Sequence, residues 1–135
     1  MPVVSLEAGV IEGAIDKPFD GVTFTVGAES ANVINVGMQF TRGGVDVGEI
    51  CSAFAWMSDA ADGDAVASAA ADGGVAKGTD GEILIEHTAN LVFELQTESD
   101  GDCDVDVTET GIDTWYLVVR LPNGTVAVSG AITFA

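Results

Sequence analysis

Positive charge is scarce in this chain: 4 Lys and Arg stand against 22 Asp and Glu in 135 residues, a formal net charge of −18. Lys17, Arg42, Lys77 and Arg120 are scattered singly. Binding of nucleic acid by counterion release needs clustered cations, so no nucleic-acid partner is expected. The same deficit argues against docking on an anionic membrane. No apolar run approaches the ~20 residues of a spanning helix. No basic stretch precedes Lys17, and Glu7 and Glu12 interrupt the apolar N-terminal residues, so no secretory signal is read there.

Reactive side chains are equally few. His87 is the only imidazole, and Cys51 and Cys103 are the only thiols. A transition-metal site needs such ligands in clusters, and two cysteines are too few for a disulfide scaffold. They are expected as small buried apolar side chains, with a bridge between them the less favoured alternative. Neither Gly-x-Ser-x-Gly nor Ser-x-x-Lys occurs, so nothing marks an activated serine. Gly43-Gly44 and Gly73-Gly74 lack the Lys-Ser/Thr continuation of a phosphate-binding loop. His87 is expected at a strand end on the surface. With 22 acids available, carboxylate pairs of the glycosidase kind are a by-product of composition. The chain is read as non-enzymatic, with no cofactor.

What is present is apolar and β-forming. A hydrophobic fraction of 47% argues for a packed globule despite the charge, and 135 residues suit one domain. Val and Thr far outnumber Leu, and no stripe of apolar residues recurs at helical spacing. An all-β antiparallel sandwich follows.

Residues 1–21 read as an extended arm and 22–135 as the sandwich. Pro2, Gly9, Gly13, Pro18 and Gly21 break regular structure in the arm, yet Val3, Val4, Leu6, Val10, Ile11, Ile15 and Phe19 are apolar. Such an arm either packs on its own sheet or lies along a neighbouring subunit. Eight strands are predicted, at Val22–Val26, Asn32–Phe40, Glu49–Met57, Glu82–Glu86, Leu91–Gln96, Cys103–Thr108, Trp115–Leu121 and Val126–Phe134. Ile34, Val36, Met38 and Phe40 alternate with polar or small residues, the period of a half-buried strand. Glu49–Met57 is apolar on both faces and is expected in the middle of its sheet. Apart from Phe19, the aromatic side chains fall in or beside core strands. Asn123-Gly124 between apolar runs predicts a hairpin with a type I′ turn. Between Ser58 and Gly81 the reading is irregular, with one helical turn allowed over Ala65–Ala71.

Asp100, Asp102, Asp104 and Asp106 alternate along one strand, and Asp59, Asp62 and Asp64 gather in the long loop. Calcium wants six to eight oxygens from a loop that curls around it. An extended strand sets alternate aspartates roughly 7 Å apart in a line. Asp100 and Asp102, at the loop end, are therefore the calcium candidates. The favoured reading is a solvated acidic face that keeps an edge from stray pairing, with no metal. Charge of this size also favours solubility on a crowded surface, or a saline setting that screens it.

Two stretches, Val33–Met57 and Thr79-Asp80-Gly81 leading into Ile83 and Ile85, resemble bacterial immunoglobulin-like domains of adhesins and tailed-phage virion proteins. Gly111–Val119 resembles the corner before the penultimate strand of such sandwiches, which makes Tyr116 the tyrosine-corner candidate. The C-terminal run GIDTWYLVVRLPNGTVAVSGAITFA resembles that of small structural proteins of tailed bacteriophages. The resemblance implies a capsid decoration (cement) protein on the phage head surface, assembled in the host cytoplasm, with the major capsid protein as partner. Val3, Val4, Leu6, Val10, Ile11 and Ile15 are then the expected capsid or inter-subunit contact, and a closed dimer or trimer is expected. The alternative is an extracellular adhesion or carbohydrate-binding module.

Overall fold

The computed structural model describes residues 18–135, and these form two antiparallel sheets without a helix. The first sheet holds β1 (Gly21–Val26), β2 (Val33–Arg42), β8 (Asp102–Thr108) and β5 (Gly74–Lys77) in that order, with β3 (Val45–Asp46) paired to β2. The second runs β10 (Val126–Val128), β9 (Thr114–Arg120), β4 (Ser52–Ser58), β7 (Val92–Gln96) and β6 (Glu82–Thr88), with β11 (Ile132–Thr133) also on β9. The all-β sandwich is thus the observed fold.

Period-two alternation places the core. On β2, Ile34, Val36, Met38 and Phe40 are buried, and the register sets Ile34, Val36 and Met38 opposite Val107, Val105 and Cys103 of β8. The facing sheet contributes Ala53, Ala55 and Met57, Phe93 and Leu95, and Trp115, Leu117 and Val119. On β2 one face is buried and the other is not, so a one-residue slip would turn its apolar set to water, and this fixes the register.

The chain does not visit its strands in the order of an immunoglobulin variable-type sandwich. After β4 it crosses to β5 in the first sheet and only then makes the β6–β7 hairpin of the second. Tyr116 is half-buried on β9 opposite Ser58, and its hydroxyl bonds to none of the described residues, so no tyrosine corner forms.

Several expectations are corrected by local chemistry. Residues 122–124 do make a hairpin loop, but Asn123 keeps a negative φ and only Gly124 is left-handed, at φ 92°. The turn is closed by the Gly124 N–H donating to Leu121 O, which makes Pro122 and Asn123 its central pair. Proline fixes φ near −65° and so selects a turn of the type I class followed by a left-handed glycine. The true two-residue primed turn is Gly43-Gly44, both left-handed, between Arg42 and Val45.

The long loop carries strand β5 instead of a helical turn over Ala65–Ala71. Its carbonyls are captured by two indoles, Trp56 Nε1 donating to Gly63 O (3.2 Å) and Trp115 Nε1 to Ala69 O (3.1 Å), while Ala67 N donates to Met57 O. Val126–Phe134 splits into β10 and β11, because buried Ser129 exchanges bonds with Leu117 and the Ser129–Ala131 segment leaves the ladder. The described core also reaches back to Phe19, inside the segment assigned to the arm: Phe19 is buried against Phe40, ring centroids 4.7 Å apart.

Candidate functional site

The predicted contact residues Val3, Val4, Leu6, Val10, Ile11 and Ile15 lie outside the described residues. The structure does fix where that segment joins the sandwich. Asp20 N donates to Thr41 O, Arg42 Nη1 donates to Pro18 O, and the Asp20 carboxylate accepts from Gly43 N. Residues 18–20 therefore run past the end of β2, beside the β2–β3 hairpin.

Asp100 and Asp104 lie near Asp102 and Asp80, but the best buried of these, Asp104, is a structural anchor. Asp104 accepts from Asn35 Nδ2 (2.5 Å), Thr79 N (3.1 Å) and Asp80 N (2.6 Å), and Asp104 N donates to Asp80 O. It ties the Gly78–Gly81 crossover between the sheets onto β8, and this cover leaves Asp104 buried on the outward face it shares with Asp106, which corrects the reading of that face as solvated at this position. Burial pushes the Asp104 carboxyl up, but the hydrogen bonds from Asp80, Asn35 and Thr79, with the Lys77 charge, outweigh this and hold it below the ordinary aspartate range. The carboxyl of Asp102 moves the other way, raised by desolvation and by Asp80, Asp100 and Asp104. Asp100 is exposed, and its carbonyl accepts from Gln39 Nε2. Among the described residues no group of three or more His, Cys, Asp or Glu is arranged to hold a metal ion.

A second device pins the long loop. Asp72 N donates to Glu109 Oε1, and Thr110 N and Oγ1 donate back to the Asp72 carboxylate. Those bonds lower the Asp72 pKa, the Thr110 hydroxyl most of all.

Both cysteines are free and buried. Burial, then Asp102, Asp104, Asp80 and Cys51, pushes the Cys103 thiol up to about 12. Since the thiolate is the reactive form, Ellman's reagent is expected to leave Cys103 unmodified at pH 8 in the native protein and to label it once urea unfolds the chain. Stoichiometric native labelling of Cys103, read by peptide mass mapping, would contradict this.

The feature that sequence reading missed is on the outer face of the second sheet. Phe54, assigned to the core, is 46% exposed, while Ala53 and Ala55 point inward. Apolar residues on both faces of β4 do mark a central strand, between β9 and β7, but its outer face is not covered at Phe54. The available signal was size: small residues alternate with Phe54 and Trp56. Glu94 of β7 is the partner of both Phe54 and Ile85, so all three lie on that face. The exposed His87 ring rests on Phe54 with centroids 5.1 Å apart. Edge strand β6 adds Leu84 (47% exposed) to Ile85 (49%), and register shifts beside both Leu84 and His87 interrupt its pairing. Nearby, the long loop does cover the sheet: a Cβ at Gly63 would meet Val118 and Val128.

Beside Phe54 lies a hollow of about 320 Å³ lined by Phe19, Ser52, Ala53, Phe54, Arg120, Leu121 and Pro122. Arg42 pairs with Glu49 and Lys77 with Glu82, whereas Arg120 makes no ion pair with a described carboxylate. An apolar concavity rimmed by an available guanidinium suits an extended segment that is itself apolar with an occasional acid.

Comparison with family models, with curated proteins and with solved structures returns no match to this chain.

Proposed function

We propose that this chain is a non-enzymatic structural protein of a tailed-phage virion, a capsid decoration protein that binds the outside of the head and stabilises the shell. The observation that carries a docking role is the exposed apolar strip of Phe54, Leu84 and Ile85 on a molecule of net charge −18. Clustered apolar exposure marks contact surfaces, and here it stands against a surface whose acids otherwise promote solubility. The virion setting rests on the resemblance of residues 111–135 to small phage structural proteins. In mechanism, each copy adds a modest contact energy, and repetition over a closed shell sums these into resistance to pressure from packaged DNA. The apolar N-terminal segment and the strip supply the capsid and inter-subunit contacts.

The test is deletion of residues 1–17, the cut placed before buried Phe19. The truncated protein is expected to keep its β-type circular dichroism and its cooperative unfolding, and to lose co-sedimentation with phage heads carrying the major capsid protein. Undiminished binding of the truncated protein to heads, or failure of the full chain to bind them, overturns the assignment.

A further inference from the structure

We propose that the hollow beside Phe54 is the seat for the apolar N-terminal segment of a second copy of this chain, so that copies associate by exchanging their first seventeen residues. This inference does not rest on the virion reading, and its test contains no heads.

Three observations carry it. The first is position. Phe19 belongs to the wall of the hollow, so the point where the segment leaves and the place proposed to receive it lie at the same end of the molecule. The second is direction. The hydrogen bonds from Arg42 to the Pro18 carbonyl and from Gly43 to the Asp20 carboxylate aim the chain past the end of β2. Residues 18–20 are thereby held along the β2–β3 hairpin of the first sheet, while the hollow is walled chiefly by β4 and the end of β9 in the second. Seventeen extended residues span up to roughly 55–60 Å, well beyond the roughly 33 Å of ten-residue β2, so reach is not limiting.

The third is complementarity. The segment carries Val3, Val4, Leu6, Val10, Ile11 and Ile15 with Glu7, Glu12 and Asp16 among them. The hollow offers Phe54, Leu121 and Pro122 as apolar walls, and the Arg120 guanidinium for a carboxylate. In a chain with 4 cations, this is the one described cation without an ion pair to a described carboxylate. Exchange of identical segments between copies is a low-cost route to a closed assembly.

The experiment is sedimentation equilibrium of the full-length protein and of three full-length variants: Leu6→Glu combined with Val10→Glu, Phe54→Glu, and Arg120→Glu. The wild-type chain is expected to form a dimer or trimer. Each variant is expected to raise the dissociation constant at least tenfold with unchanged circular dichroism. Phe54 and Arg120 are both exposed, so neither change disturbs the core; should Phe54→Glu fail to fold, Arg120→Glu carries the same test.

The deciding measurement is a mixture. The segment variant retains a working hollow and the Phe54→Glu variant a working segment, so an equimolar mixture is expected to associate more tightly than either alone. A wild-type chain that is monomeric at tens of micromolar overturns the proposal. So does a variant that associates as tightly as wild type, or a mixture no better than its parts, the result expected if each segment returned to its own hollow.

Discussion

Asp104→Ala is expected to destabilise the protein by about 3 kcal/mol, because it strands hydrogen-bond donors at a partly buried site, each worth about 1–3 kcal/mol when left unmet. The Asp104 carboxylate receives Asn35 Nδ2, Thr79 N and Asp80 N at once, and alanine receives none of them. Asn35 Nδ2 keeps its bond to Asp106 Oδ1 at 2.9 Å, so the donors left unmet are Thr79 N and Asp80 N. A Cβ at Gly78 would run into Asp104 Oδ2, which shows how closely the crossover backbone is drawn around this side chain. Losing the carboxylate frees the connection that carries the chain from β5 to β6.

The pH dependence has a definite sign. The Asp104 carboxyl sits below its ordinary value in the folded protein, so its ionised form contributes stability above the unfolded pKa of roughly 3.9. That contribution is lost as pH falls through the lower, folded value. Asp102, raised by burial and by neighbouring aspartates, acts in the opposite sense: it weakens the fold at neutral pH and is relieved on protonation. Urea unfolding at pH 7 and at pH 3 separates them. The gap between wild type and Asp104→Ala is expected to narrow at the lower pH, while Asp102→Asn is expected to stabilise at pH 7. An Asp104→Ala midpoint equal to wild type at pH 7 would refute the anchoring role.

The parts of the fold legible in the sequence are those in which one face is uniformly apolar. Ile34 to Phe40 and Cys103 to Val107 could be placed because alternation and burial coincide over a whole strand. Phe19, read in an arm that either packs on its own sheet or lies along a neighbour, is buried at 2% on its own sheet, and Phe54, read within a core strand, is exposed, because residue type does not say which face a neighbouring layer covers. Strand β5 was hidden by its length and by Gly73-Gly74, which read as a break. In fact a Cβ at Gly73 would collide with the Thr108 side chain, so glycine lets β5 approach β8. The strip around Phe54 depends on the same missing knowledge. Trp56 and Val118, on the same sheet face, are covered by the Gly63 region of the long loop, and Phe54, two residues from Trp56, is not. No local pattern in the loop indicates where its cover ends.

Charge and apolar contact also work together here. At −18, copies repel one another through their carboxylates, so association needs contacts that exclude water and surfaces low in acid. The hollow meets both conditions, since its lining holds no acid and includes Arg120, with Glu94 beside Phe54 on the neighbouring strand. Self-association through this face is therefore expected to tighten with salt, which screens the distant like charges more than it weakens the buried apolar contact.

Gly81→Ala is expected to be among the most damaging single methyl additions at this end of the molecule, at about 4 kcal/mol. Gly81 is left-handed at φ 76°, where a side chain costs about 1–2 kcal/mol. The new methyl would also lie 2.5 Å from both Cys103 Cβ and Gln96 O. Neither is the far end of a flexible side chain: one stands on central strand β8 and the other is ladder backbone of β7. Relief requires moving the crossover away from Asp104, and overpacking of this kind costs about 1–3 kcal/mol. Gly124→Ala isolates the conformational share, since Gly124 is also left-handed, at φ 92°, but has nothing within 4 Å of the added methyl. It is expected to cost about 1–2 kcal/mol from backbone strain alone. Equal midpoints for the two variants in urea unfolding would mean that close packing against Cys103 and Gln96 contributes nothing, and that the crossover is not clamped between the sheets.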